Sequence, residues 1–360
     1  MIAFTPPLTL SDEELARKQS ISLDAVQLAR SSEIIDLHIE GYLVPRLIPY
    51  DPYKRHRPGF SRGMYLGHLD FPRILEGSLT GAMWSITTNP SRSPGKRWKA
   101  FLENLEKLRQ LIDGTKGLFE IVRTHKEYVE ARARGAHACL LAIQGGNAVE
   151  GAPDGVFSIP QDIITRITLV HLTSSNYGVT SSPLKITGRN RGLTRAGIEL
   201  VEAMNQRKIL VDLAHINPAG FWDAHKHHDA SQPLIATHTG ISGVKKHWRN
   251  LDDAQVKAIA DTGGTIGIIY ATNFLKTSST AKDGGMVVDH MQHVIDTVGE
   301  DFVSIGSDYD GMIIPPQDLR CGSHYPRLVE HMLQRNWKPD RIEKILGLNA
   351  LRVLKHIRPE

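Results

Sequence analysis

The sequence predicts an α/β protein built as a single closed barrel of eight parallel strands, a (β/α)8 TIM barrel with a short helical N-terminal extension. Two observations carry that expectation. Eight short apolar segments alternate with stretches of helical period, and most of those segments end at a histidine or an acid. Alternation of this kind makes the strands parallel, because each connection crosses back over the sheet in the right-handed sense. The length of 360 residues would allow two domains, but barrels of that size are common, and 41% hydrophobic residues suffice for a sizeable core. Residues 1–360 therefore read as one domain, with 1–30 as the extension.

Ser11-Asp12-Glu13-Glu14 has capping-box spacing ahead of Leu15, and a second helical stretch over 23–30 leads into the first strand. That strand lies in Glu33-Ile34-Ile35-Asp36-Leu37-His38-Ile39-Glu40-Gly41, where strand alternation sends His38 and Glu40 to the same side. Both can reach one point, where a metal ion could sit; ordinary hydrogen bonding is an equally good account of this stretch alone. Residues 41–66, rich in Pro, Tyr, Arg and Gly, form a long loop whose place after this strand favours function. A second strand is expected over 81–86, followed by a helix over 97–112 with Phe101, Leu105, Leu108 and Ile112 on one face. The third strand covers 138–143 and meets Gln144, and the fourth covers 167–170 and runs into His171. The Ser/Thr/Gly/Asn-rich loop 173–191 reads equally as a cover over a site or as a surface connection. After a helix over 193–206, the fifth strand (208–213) leads to His215 and the sixth (233–237) to His238. A helix through Val256 and Ile259 precedes the seventh strand (265–269), and the eighth (302–306) ends at Asp308.

Active sites of such barrels lie at the carboxyl ends of the strands. His38, Glu40, Gln144, His171, His215, His238 and Asp308 all stand there, so four histidines on different strands, joined by two carboxylates, converge on one mouth. That donor set points to a metal centre. His225, His227 and His228, around Lys226, read instead as a solvated helix end. The 43 basic and 39 acidic residues are well mixed, with no basic block to follow a phosphate backbone, so nucleic acid is not an expected partner. Cys139 and Cys321 cannot make a disulfide framework, and there is no CxxC pair. Residues 1–7 lack a charged segment followed by an apolar core, and no run approaches membrane-spanning length. The expectation is a soluble, cytoplasmic chain without a membrane partner.

Several stretches together resemble the membrane (renal-type) dipeptidase family, a branch of the metal-dependent amidohydrolase barrels. They are Ile35-Asp36-Leu37-His38, Leu69-Asp70-Phe71-Pro72-Arg73 with Trp84-Ser85, Gln144-Gly145-Gly146, Leu169-Val170-His171, Val211-Asp212-Leu213-Ala214-His215, Thr237-His238, Arg249-Asn250 and Gly306-Ser307-Asp308-Tyr309-Asp310-Gly311. The resemblance implies a dipeptide-cleaving enzyme with two zinc ions bridged by a carboxylate, and a tendency to form homodimers. It assigns His38 to the first metal and His215 and His238 to the second. Asp308 is implied to ligate the first metal and to handle the proton of the attacking water. His171 is implied to polarise the scissile carbonyl, and Arg249 to receive the substrate carboxylate.

Two positions depart from the family pattern. Glu40 stands where the family has Asp, and Gln144 where it has the bridging Glu. A neutral amide is a poor bridge between two dications, which repel unless anions lie between them. One tightly held divalent ion, with a second weak or absent, is the expectation. Gln144 also weakens the case for a substrate with a free amino group, since the family's bridging carboxylate helps to receive that group, while Arg249 remains for a carboxylate. Glu150 could replace the lost bridge but reads better as an ordinary loop acid. The leading reading is a metal-dependent hydrolase acting on an amide bond of a dipeptide or related small acid. A lyase, dehydratase or isomerase using the same metal, and a non-catalytic ligand-binding barrel, are the competing ones.

Overall fold

The computed structural model describes residues 4–57, 63–183, 191–277 and 282–360. Parts of the expected loops 41–66 and 173–191 lie outside the described residues. Among the described residues nine strands occur, all paired in parallel: β1 (Ile35–Ile39), β2 (Gly81–Thr87), β3 (Phe119–Ile121), β4 (His137–Gln144), β5 (Ile164–Thr168), β6 (Leu210–Asp212), β7 (Leu234–Thr239), β8 (Thr265–Ile268) and β9 (Val303–Ile305). Eight of them close the predicted barrel. β2 runs beside β4 from Gly81 opposite Ala138 to Thr87 opposite Gln144, and β9 returns to β1 through Asp36 opposite Ile305.

β3 is the strand the sequence did not announce. It pairs with the first residues of β4, from Phe119 opposite His137 to Ile121 opposite Cys139, whereas β5 pairs with the last, from Leu141 opposite Ile164 to Gln144 opposite Thr168. β3 therefore supports the lower half of β4 without adding a stave to the barrel mouth. Three residues are too few for periodicity to register. The fourth expected strand also moves: the structure places β5 three residues earlier than 167–170, so its pairing takes in the charged Arg166 and stops before Leu169.

All eight residues of β4 and all five of β1 are buried, as strands covered on both faces by helices require. The helix Pro94–Asp113 buries Phe101, Leu105, Leu108 and Ile112 on the predicted face, with Pro94 in the first turn where its missing N–H costs nothing. In the extension, Ser11 and Glu14 form the expected reciprocal cap at the start of the helix Asp12–Gln19. The next helix, Leu23–Ser31, lies against the outer helix Tyr325–Gln334. Ser22 ties the two together, donating from both its backbone N–H and its hydroxyl to Glu330 at 2.9 and 2.5 Å. No described helix is long and apolar enough to cross a membrane.

Close approach of strands fixes the site's depth at two glycines. A Cβ on Gly267 or Gly306 would lie 2.0 or 1.8 Å from the carbonyl oxygen of Thr237, the residue before His238. Only glycine at both positions lets β8 and the end of β9 close against β7 just where a site residue is carried.

Candidate metal centre and substrate cavity

The barrel brings the predicted residues to one mouth. His38 lies within β1 and His238 within β7; Gln144 is the last residue of β4. Glu40, His171, His215 and Asp308 follow β1, β5, β6 and β9 by one to three residues. A donor atom from each of His38, His238 and Asp308 lies within 4.8 Å of the others, and His215 Nε2 is 2.8 Å from His238 Nε2. The Gln144 amide nitrogen is 3.2 Å from His215 Nε2 and 3.4 Å from His238 Nε2. Glu150 lies apart, its carboxylate paired with Arg97, as an ordinary loop acid would be.

Two buried aspartates hold this arrangement, and their structural work is not visible as spacing. Asp36 accepts from the backbone N–H groups of His38 and Ser307 at 3.0 and 2.9 Å and from the Tyr325 hydroxyl at 2.6 Å, so β1 is tied to the segment carrying Asp308. Asp212 accepts from the N–H groups of Ala214 and Thr237, both at 3.0 Å, and from the Thr237 and Thr168 hydroxyls at 2.7 and 2.6 Å. Because the Thr237 hydroxyl gives its proton to Asp212, its oxygen must accept from His238 Nδ1, 2.8 Å away. His238 then carries its proton on Nδ1 and turns a lone pair at Nε2 toward the site.

His215 (φ +68°) and Asp308 (φ +60°) both sit in the left-handed region. Non-glycine residues there cost about 1–3 kcal/mol each and persist where the surroundings over-determine them. The surroundings do so here: the Asp308 N–H donates to the His38 carbonyl at 3.0 Å, and the His215 carbonyl accepts from Ser181 N–H at 2.7 Å. Two of the residues assigned to the site thus carry backbone strain.

Burial dominates the electrostatics. It pulls His38, His215 and His238 well below the ordinary histidine range, so all three are neutral at pH 7, the form that can ligate a metal. His171 is drawn down to about 3 by desolvation, with Arg249 and Arg166 adding to the effect. Glu40 is pushed up to about 7 by burial, partly offset by the Thr87 hydroxyl, which donates to it at 2.7 Å. Burial also lifts Asp308 well above the carboxylate range, and the neighbouring Glu40 lifts it further. Two buried carboxylates that resist ionisation beside neutral imidazoles would be stabilised by a cation. An unpartnered buried atom agrees: Glu40 Oε2 has no hydrogen bond among the described residues. The residues present fit a divalent ion.

Above this floor opens a cavity of about 590 Å³. Glu40, Gln144, His171, His215, Arg249 and Asp308 line its polar side, and Trp248, Phe274, Leu172 and Met312 are among its apolar walls. Arg249 is buried, and its Nη2 donates to the His238 carbonyl at 2.7 Å, so the cation is anchored to a strand that bears a candidate ligand. Arg249 Nε has no hydrogen-bond partner among the described residues. Sequence reasoning missed Arg166, a fully buried side chain beneath the floor that touches His38, Ser85, Thr168 and Asp212. The signal was present: a charged residue two before Thr168 in an otherwise apolar strand points to the same side of that strand.

The family model of the membrane dipeptidases, peptidase family M19, matches residues 24–359. The chain belongs to that family. It is 27% identical over 309 residues to the dipeptidase verJ of Clonostachys rogersoniana, covering 82% of this chain and 77% of that one. Among solved structures it is similar to a metallopeptidase from Rhodobacter sphaeroides liganded with a phosphinate mimic of L-Ala-D-Ala. That match has 26% identity and a TM-score of 0.77, covering 90% of this chain and 99% of the other. The probable dipeptidase PvdM from Pseudomonas aeruginosa, 16% identical over 95% of this chain and 99% of its own, shares the fold with a TM-score of 0.82. As a membrane dipeptidase family member, this chain is a metal-dependent hydrolase of the dipeptidase type. Hydrolysis, rather than the lyase or binding-only reading, is the chemistry of that family.

Proposed function

We propose that this enzyme hydrolyses an amide bond in a dipeptide or related small carboxylate-bearing substrate with an apolar substituent, using one tightly held divalent ion of the zinc class. The observation that carries the reading is that Arg249, His215 and Asp308 line one cavity, with His238 Nε2 2.8 Å from His215 Nε2. His238 and Asp308 would hold the ion, with His215, His38 and Glu40 beside it; when bound, such an ion would supply Lewis acidity and acidify a water.

The chain's own residues supply the rest. Arg249 receives the substrate carboxylate with its guanidinium, and its anchoring to the His238 carbonyl fixes where that carboxylate stops. His171, neutral at pH 7, keeps one ring N–H to donate to the scissile carbonyl as its oxygen gains charge. Asp308 takes a proton from the attacking water and returns it to the leaving amine, a task suited to a carboxylate whose proton affinity is raised. Trp248, Phe274, Leu172 and Met312 offer an apolar wall to a bulky substituent. Gln144 offers no negative charge to an ammonium group, which favours substrates whose amino end is blocked or absent.

A panel of dipeptides with free and acylated amino ends, assayed with and without chelator in ¹⁸O-water, tests this reading. The expected result is chelator-sensitive cleavage that places one label in the new carboxylate, fastest for acylated substrates with apolar side chains. Conversion without label would overturn hydrolysis. A clear preference for free amino ends would overturn the substrate class.

A further inference from the structure

We propose that Arg166 takes the place of one metal ion: its guanidinium fixes His38 as a hydrogen-bond donor and confines the centre to a single divalent ion on the His215–His238 side. This rests on the metallohydrolase reading above and deepens it.

Arg166 lies in the middle of β5, fully buried, and a guanidinium can only donate. Its Nη2 is 2.9 Å from His38 Nδ1 and 2.8 Å from Ser85 Oγ. Ser85 Oγ, 3.2 Å from the same histidine nitrogen, accepts from Arg166 and has its own proton left to give. His38 Nδ1 must therefore offer a lone pair, and a neutral ring then carries its proton on Nε2. That nitrogen faces Asp308 Oδ1 at 3.4 Å and Glu40 Oε1 at 3.7 Å. A protonated nitrogen has no lone pair for a metal, so His38 turns an N–H rather than a lone pair toward the side of the two carboxylates. His238 is held in the opposite tautomer by Thr237, with its Nε2 lone pair free to ligate.

The other end of the guanidinium secures it in place. Arg166 Nη1 donates to Thr168 Oγ1 at 2.7 Å and is 3.3 Å from Asp212 Oδ2, the carboxylate that also fixes the Thr237–His238 pair. Gln144 Oε1 lies 2.8 Å from Thr168 Oγ1, so the neutral amide borders the same network. A fixed positive charge against the back of His38 repels a second dication in front of it, and the neutral Gln144 supplies no anion to offset that repulsion. Arg166 is thus a positioning residue: it acts through His38 on where metal can bind.

The test uses the full chain loaded with excess zinc, desalted, and measured for zinc per chain. The wild type is expected to hold one ion. His38→Gln should retain it and His238→Gln should lose it. Arg166→Met combined with Gln144→Glu should take up a second. Two ions in the wild type, or loss of the single ion in His38→Gln, would overturn the inference while leaving the metal centre intact. A wild type that holds none would instead refute the metallohydrolase reading. Should the Arg166 variant fail to fold, long-range ¹H–¹⁵N correlation on histidine-labelled wild type decides the matter. A His38 proton on Nε2 is expected, and a proton on Nδ1 would overturn the proposal.

Discussion

His38 and His238 stack face to face with ring centroids 3.8 Å apart, yet their hydrogen-bond partners give them opposite tautomers. Identical side chains at corresponding strand ends therefore do different work, and the partners beneath them decide which. The sequence showed both histidines, along with Gln144, His215 and Asp308, because residues at strand ends are legible as punctuation. It did not show the partners, since Arg166 and Ser85 sit inside strands and the cross-strand hydrogen bonds of Thr168 and Asp212 leave no spacing to read. At this scale the roles are open to substitution. Asp308→Asn removes the proton acceptor and should lower kcat by about 10²–10⁴-fold, with KM little changed; steady-state kinetics at matched metal content measures it. Arg249→Met removes a charge-assisted pair worth about 1.5–3 kcal/mol. It should raise KM by roughly 10- to 100-fold for carboxylate substrates, and much less for the corresponding amides.

At the scale of elements, strand ends were easier to read than strand starts. A histidine or an acid marks most of the mouth positions, whereas the interior of β5 contains Arg166, and a charge in an apolar run reads as a boundary; pairing of Arg166 with the level of Leu210 shows that it lies within the strand. Burial of that charge is tolerable because Asp212 and three acceptors receive it. β3 escaped for a different reason, being only three residues long. Strand packing makes a prediction of its own at Gly306, where a Cβ would meet the Thr237 oxygen at 1.8 Å. Gly306→Ala should destabilise the chain by about 1–3 kcal/mol through overpacking. It should also weaken metal binding, because the strand it pushes carries His238. Chemical denaturation and metal titration of the variant check the two parts separately.

For the whole molecule, stability should fall in mild acid for reasons remote from the site. His137 donates from Nδ1 to the Leu79 carbonyl at 2.8 Å and accepts at Nε2 from the Trp84 indole N–H, 3.2 Å away. His290 accepts from Ile241 N–H at 2.8 Å and donates to the Leu275 carbonyl at 3.2 Å. Each ring is locked neutral, and burial pulls each pKa from 6.5 down to about 4. The unfolded chain therefore binds more protons between those values. Stability from these two groups is full above about pH 6.5 and is lost as pH falls toward 4, by up to about 3 kcal/mol for each. Urea midpoints at pH 7 and pH 5 should show the loss, and His137→Gln should flatten the difference. The barrel class was legible from the eight apolar segments, as was the convergence of the mouth residues, because both follow from alternation and topology. The network under the floor was not, because long-range hydrogen bonds leave no period in a sequence. The central claim, a single-ion hydrolase centre, is tested most directly by anomalous diffraction at the zinc edge from crystals of the wild-type chain grown with zinc. One peak between His215 and His238, with His38 outside bonding distance, is the predicted result. A second peak between His38 and Glu40 would contradict it.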